Sequence, residues 1–214
     1  MKAIENEPIV RLEWLIREEL VPKLEILDIY LREECIEYII LNSKLEHVAK
    51  DQFIQKNGSY VHGHLYFLYN GTAFGFYHNQ RMDKTFATRL WQADEIIFDT
   101  NSFLNCEDRI ENIQMLEDGE LISINYDSLK VLLDKFPEVF ALLPFLTIKF
   151  EKHSRFYQHL LKRTIKERIS LFLDHDPTLI NKISRDIIAL YLGVPITSFN
   201  RAYALYKHNK DDDV

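Results

Sequence analysis

Glycine and proline are scarce in this chain of 214 residues, six of each, which excludes a collagen-like repeat and Pro/Gly-rich disorder. Cysteine is scarcer still. Cys35 and Cys106 stand far apart, with no CxxC pair and no metal-ligand spacing, so both read as apolar side chains in a reducing compartment. No apolar run approaches the ~18 residues of a membrane span. The longest, Phe140–Ile148, is interrupted by Pro144. A secretion leader is also missing, because Glu5, Glu7, Arg11 and Glu13 break up the start. Nor is there a P-loop, a GxSxG elbow or a DxDxDG calcium loop. These gaps point to a cytoplasmic protein that neither spans a membrane nor carries a familiar catalytic motif.

What is present suits a folded protein with a real core: 47% hydrophobic and 28% charged residues. The length fits one large domain and one small module. The net charge is −7 but unevenly spread. Residues 152–214 carry 11 Lys or Arg against 7 Asp or Glu, a net +4, leaving −11 for residues 1–151. An acidic front and a mildly basic back fit a sensor joined to a polyanion-binding module.

The hydrophobic pattern changes three times along the chain. Residues 8 to about 41 have helical periodicity, through Ile9, Leu12, Leu15, Ile16 and Leu20 and then from Leu24 and Leu27 to Ile40; Pro22 is expected to interrupt it. From Lys44 to Asn125 short aromatic and β-branched segments alternate with turn signals: Asn57-Gly58, Asn70-Gly71, His78-Asn79-Gln80 and Asp118-Gly119. The segments His64–Tyr69, Thr72–Tyr77, Lys84–Leu90, Ile110–Leu116 and Glu120–Ile124 predict an all-β roll or barrel. Helix then returns, with a short run Ser128–Lys135, a restart at Phe136-Pro137-Glu138 and a long run to about Lys162 that Pro144 should kink. Along it Leu146, Phe150, His153, Tyr157 and Leu160 step by 4, 3, 4 and 3, a coiled-coil-like stripe whose natural cover is a partner helix.

The last third holds the most informative segment. After helical Lys162–His175, Ser184 suits an N-cap, Ala189 supplies the small residue where two helices cross, and Gly193 supplies the left-handed turn four residues later. Ile188, Leu192, Val194, Phe199 and Ala202 give the pair an apolar inner side. This is the register of a helix-turn-helix, closed by a helix over Ile196–Tyr206 and an acidic, frayed end at Asp211–Val214. The charge-rich stretch Arg163-Thr164 and Lys166-Glu167-Arg168 reads as a solvated helix face.

Taken in order, Asn57-Gly58, Leu65–Gly71, Leu116–Leu121, Phe136-Pro137-Glu138, Arg168-Ile169, Leu171–Leu173 and Ile188–Gly193 resemble the Crp/Fnr (catabolite-activator-like) regulators, especially their Bacteroidetes-type variants. The resemblance runs from about Lys44 to Tyr206. It implies an α+β architecture: N-terminal helices and a cyclic-nucleotide-binding-like β-roll (jelly roll) over 1–136, a dimerisation helix over 137–162, and a winged-helix-like helix-turn-helix over 163–214. It implies a non-enzymatic transcription regulator, a homodimer with double-stranded DNA and RNA polymerase as partners. The dimer interface falls on Leu146, Phe150, His153, Tyr157 and Leu160. DNA contacts fall on Thr197, Ser198, Asn200 and Arg201, with Lys182 and Arg185 on phosphates.

The sequence departs from that family where cyclic nucleotide is held. Glu95 and Arg109 match the cassette's Glu and Arg, but Asp94, Ile110 and Glu111 replace a Gly, a Ser or Thr, and an Ala. A carboxylate ~4 Å from a phosphate costs on the order of 4 kcal/mol at intermediate dielectric. Cyclic AMP is therefore not expected. Trp91, Glu95, Phe98 and Arg109 are the candidate pocket for an unknown small-molecule effector, and no other cofactor and no metal is expected. The cysteine-ligated iron–sulfur cluster of the oxygen-sensing branch needs more than two cysteines. Two readings stay beside the regulator: a relative that only dimerises or binds another protein, and a cupin-like metal enzyme built on Gly58, His62, His64 and Gly71, which lacks the Glu that such a site needs.

Overall fold

The computed structural model describes residues 7–26 and 28–211. Leu27 lies outside them; of the acidic end, Asp211 closes the last helix and the remainder lies outside the described residues. The chain opens with α1 (Glu7–Trp14), a wide π-helical stretch over Leu15–Leu20 and α2 (Val21–Glu25). Pro22 does not interrupt the run as expected. The π stretch shifts the hydrogen-bond partners just ahead of it, so the proline enters at the start of a new α segment, where its missing N–H costs nothing. After α3 (Glu33–Asn42) the chain turns into strands.

Among the described residues eight strands make two four-stranded antiparallel sheets. One has the order β1 (Ser43–Val48), β8 (Gly119–Asn125), β3 (His64–Asn70), β6 (Glu95–Ile97); the other β2 (Phe53–Gln55), β7 (Asn112–Met115), β4 (Ala73–Asn79), β5 (Lys84–Trp91). Alternation along each strand sends successive side chains to opposite faces. Val48, Tyr66, Leu68, Ala73, Trp91, Ile97, Ile113, Met115 and Leu121 fill the space between the sheets. The opposite face of the first sheet, with Phe67, Ile122 and Ile124, is covered by the N-terminal helices and by α5 (Tyr126–Lys135), which Asn125 caps by accepting from the Ser128 amide. Between β6 and β7 runs α4 (Thr100–Asn105).

Past α5 a 3-10 turn over Pro137–Ala141 leads into α6 (Leu142–Leu161). Pro144 therefore lies in the first α-helical turn, a tolerated place, and not inside a longer helix that it must kink. Four helices close the chain: α7 (Ile165–His175), α8 (Leu179–Lys182), α9 (Arg185–Tyr191) and α10 (Ile196–Asp211). All eight strands belong to the roll, so among the described residues no β-wing flanks these helices, and the winged form expected from sequence is replaced by an all-helical module.

This module packs on the outer face of the second sheet. Phe74, Ala87, Leu90 and Leu116 of the roll share one apolar cluster with Leu160 of α6 and with Ile169, Phe172, Ile188, Leu192 and Phe199. The stripe expected to cover a partner helix is largely used up by this arrangement. Leu146 is buried against Leu24, Ile29 and Leu142; Leu160 is 1% exposed; His153 and Tyr157 contact Tyr191. Of the five stripe residues, Phe150 alone faces outward, at 54% exposure. Hydrophobic burial has no direction, so a period of 3.5 marks a face that must be covered without saying by what.

Candidate nucleic-acid interface

The helix pair begins at Ser184, whose hydroxyl accepts from the Ile187 amide and caps α9. Ala189 is 2% exposed at the crossing, and Gly193 has φ +62, the left-handed conformation that glycine adopts freely. The Val194 amide then reaches back to the Ala189 carbonyl at 2.9 Å and closes the turn. Pro195 precedes α10, where it cannot prolong α9. Phe199 and Tyr203 anchor α10 inward, with parallel rings 5.9 Å apart. The opposite side of the helix is presented outward: Thr197, Asn200, Arg201 and Ala204 are exposed, while Ser198 is half-buried. Arg201 has no hydrogen-bond or ion-pair partner among the described residues. Lys182 is also exposed, at the end of α8. Arg185 is exposed but engaged, donating from Nη1 to Asn200 Oδ1 at 3.4 Å.

Arg168, expected on a solvated face, does something else. Its guanidinium donates to the carbonyls of Leu192 at 2.6 Å, Leu161 at 2.8 Å and Arg163 at 3.1 Å. It thereby ties the helix-turn-helix turn to the end of α6. Thr164 and Glu167 of the same stretch form a reciprocal capping box that starts α7, a Thr-x-x-Glu signal visible in the sequence. Tyr157 of α6 donates its hydroxyl to the Tyr191 carbonyl of α9 at 2.8 Å, and Gln92 of the roll donates to Asp176 of the module.

Charged groups line the seam between roll and module. Arg89 on β5 is 8% exposed, lies over the Trp91 ring at 5.3 Å and is 3.9 Å from Glu95, which also pairs with Lys149 of α6 at 3.0 Å. Beside them His153 Nε2 is 3.3 Å from the Tyr191 hydroxyl. Burial, and then the nearby Arg89 charge, push His153 down to about 4, so the ring is neutral at neutral pH.

The four residues expected to form an effector pocket have different main neighbours, although Trp91 and Glu95 both meet Arg89. Trp91 fills the space between the sheets, and Phe98 packs on Phe103 and Tyr126 in the helix-covered core. Glu95 faces α6, and Arg109 donates twice to the Ser59 carbonyl, at 3.1 and 3.3 Å. These different neighbours follow from strand alternation and from the two sheets facing different elements, neither of which spacing in sequence reveals. Glu111, counted against a phosphate, is raised by its burial and by Asp99. An open cleft of about 520 Å³ lies elsewhere, between α1 and the β1 edge, and includes Lys44, Glu46, His64 and Tyr66. His62 and His64 make no metal cluster: no group of three His, Cys, Asp or Glu side chains converges among the described residues. His64 stacks on Tyr66 instead, and burial lowers its pKa. Among the described residues no helix is long and apolar enough to cross a membrane.

No protein-family model and no curated protein sequence matches the chain. Solved structures do. The c-di-GMP-responsive global regulator CLP of Xanthomonas campestris superposes with a TM-score of 0.65 at 17% identity, over 84% of this chain and 93% of that one. FixK2 of Bradyrhizobium japonicum gives 0.67 at 16% identity, over 78% and 86%. A protein of Eubacterium rectale assigned to the Crp/Fnr transcriptional regulators gives 0.68 at 15% identity, over 84% and 85%. This chain has the Crp/Fnr fold. The coverage takes in most of the chain, so the Crp/Fnr likeness concerns the arrangement of roll, long helix and helical module together.

Proposed function

We propose that the chain is a DNA-binding transcription regulator, not an enzyme, that acts in the cytoplasm as a homodimer on double-stranded DNA and through it on RNA polymerase. Its domains are the roll with its helices (1–136), the α6 linker (137–162) and the reading module (163–214). The observation that carries this reading is the outward face of α10. It presents Thr197, Asn200 and Arg201 on a helix anchored by Phe199 and Tyr203, and Arg201 is free to reach a guanine edge or a phosphate. Lys182, exposed at the end of α8, is the further phosphate contact.

The dimer seam runs along α6 beside the predicted stripe. Leu143, Thr147, Phe150, Ser154 and Leu161 share one uncharged flank of the helix with near-coiled-coil spacing, and Phe150 and Leu161 are exposed on it. The roll does not take cyclic AMP. Tyr66, Trp91 and Met115 occupy its interior, the Arg109 guanidinium is engaged by the Ser59 carbonyl, and Glu111 stands two residues away.

The test is a fluorescence-anisotropy titration of the full chain against its own upstream DNA and a scrambled duplex, at two salt concentrations. Sequence-preferring binding that weakens steeply with salt is the expected result. Equally weak binding to both duplexes would replace this reading with that of a dimeric interaction module.

A further inference from the structure

Sequence position makes Arg185 an expected phosphate contact, yet its surroundings suit it to different work. It is the first residue of α9, and its guanidinium carbon lies 5.0 Å from the ring centroid of Tyr203 on α10. Tyr203 is buried and stacked on Phe199, so it is a fixed platform. From that platform Nη1 points at Asn200. A guanidinium carries donors only, so the Asn200 amide can face Arg185 with its oxygen alone. The contact therefore selects one of the two amide orientations. Oδ1 keeps a second lone pair, and the Nδ2 amino group, with no partner among the described residues, is left outward. An acceptor and a donor side by side on an exposed amide match the N6 amino group and N7 of adenine in the major groove.

We propose that Arg185 is a positioning residue that locks the Asn200 amide, and that Asn200 so held reads an adenine in each half-site. The proposal rests on the DNA-binding reading above and names what α10 selects. The operator contains an A·T pair whose recognition needs both side chains.

The full-length protein is used to select its preferred duplex from a randomised pool. Each adenine of that duplex is then replaced in turn by 7-deazaadenine, which pairs normally and lacks N7. At one adenine the wild type is expected to lose at least about fivefold in affinity, since a bidentate contact is worth ~1–3 kcal/mol. Asn200→Ala, Arg185→Ala and the double variant are expected to bind more weakly and to be indifferent to that replacement. If Arg185→Ala keeps the full 7-deazaadenine penalty while weakening every duplex alike, with a shallower salt dependence, Arg185 is a phosphate contact and the positioning role fails. If the selected duplex shows no 7-deazaadenine effect in the wild type, Asn200 does not read adenine, although the DNA-binding reading survives. A pool that yields no preferred duplex overturns that reading and this inference with it.

Discussion

Acidification should loosen the junction between roll and helical module, and His153 sets the size of the effect. Its ordinary pKa of 6.5 falls to about 4 in the folded protein. The groups around it are Arg89 from β5, Glu95 from β6, His175 from α7, Tyr191 from α9 and Lys149 one turn earlier on α6. Burial and the Arg89 charge oppose protonation, and Glu95 only partly offsets them. Below pH 6.5 the unfolded chain takes up a proton that the folded chain refuses. The contribution is thus fully present above 6.5 and is lost as the pH falls toward 4. Linkage puts the loss at about 2 kcal/mol near pH 5 and about 3 kcal/mol once both states are protonated. The ring is only partly buried, so solvent screening reduces the expectation near pH 5 to about 1–2 kcal/mol, or roughly 2–8 °C in Tm for a chain of this size. Thermal unfolding followed by circular dichroism between about pH 7.5 and pH 4.5, for the wild type and His153→Gln, checks it. Carboxylate titration is common to both proteins, so their difference isolates the histidine. Parallel Tm profiles in the two proteins between pH 6.5 and 5 would refute the argument.

Other consequences are equally specific. A Cβ at Gly63 would lie 2.1 Å from the ring of Tyr126, which is 1% exposed, so Gly63→Ala should cost about 1–3 kcal/mol or more in urea unfolding; an unchanged midpoint would contradict the packing. Leu160→Ala removes a side chain shared by α6, the sheet and the helical module, and a loss of about 2–5 kcal/mol is expected by the same assay. Phe150→Glu should convert the dimer to monomer in sedimentation at micromolar concentration without lowering Tm; a dimer that persists would move the interface elsewhere. A thiol reagent should modify exposed Cys106 in the native protein and spare Cys35, which is buried and has its thiol pushed up to about 12; mass mapping of the labelled peptides decides this.

Much of the helical module was legible beforehand because its signals are local. Ser184, Ala189 and Gly193 act through a cap, a crossing and a left-handed turn, each set within a few residues. The capping box at Thr164 and Glu167 was equally local, and the charge-rich composition around it hid the signal. Strands with turn signals at their ends, such as β3, β4 and β5, also announced themselves. The three-residue strands β2 and β6 did not, because segments that short owe their conformation to the strands they pair with.

The amino-acid sequence by itself determined where the chain turns from helix to strand and back, and where the helix-turn-helix lies, since periodicity, caps and glycine turns act over one or two turns of backbone. Tertiary structure alone decided who covers α6, where Trp91, Glu95, Phe98 and Arg109 end up, and that Arg185 meets Asn200. Those outcomes depend on contacts between distant segments. Burial is rewarded whichever surface supplies it, so spacing along the chain cannot say which surface that is.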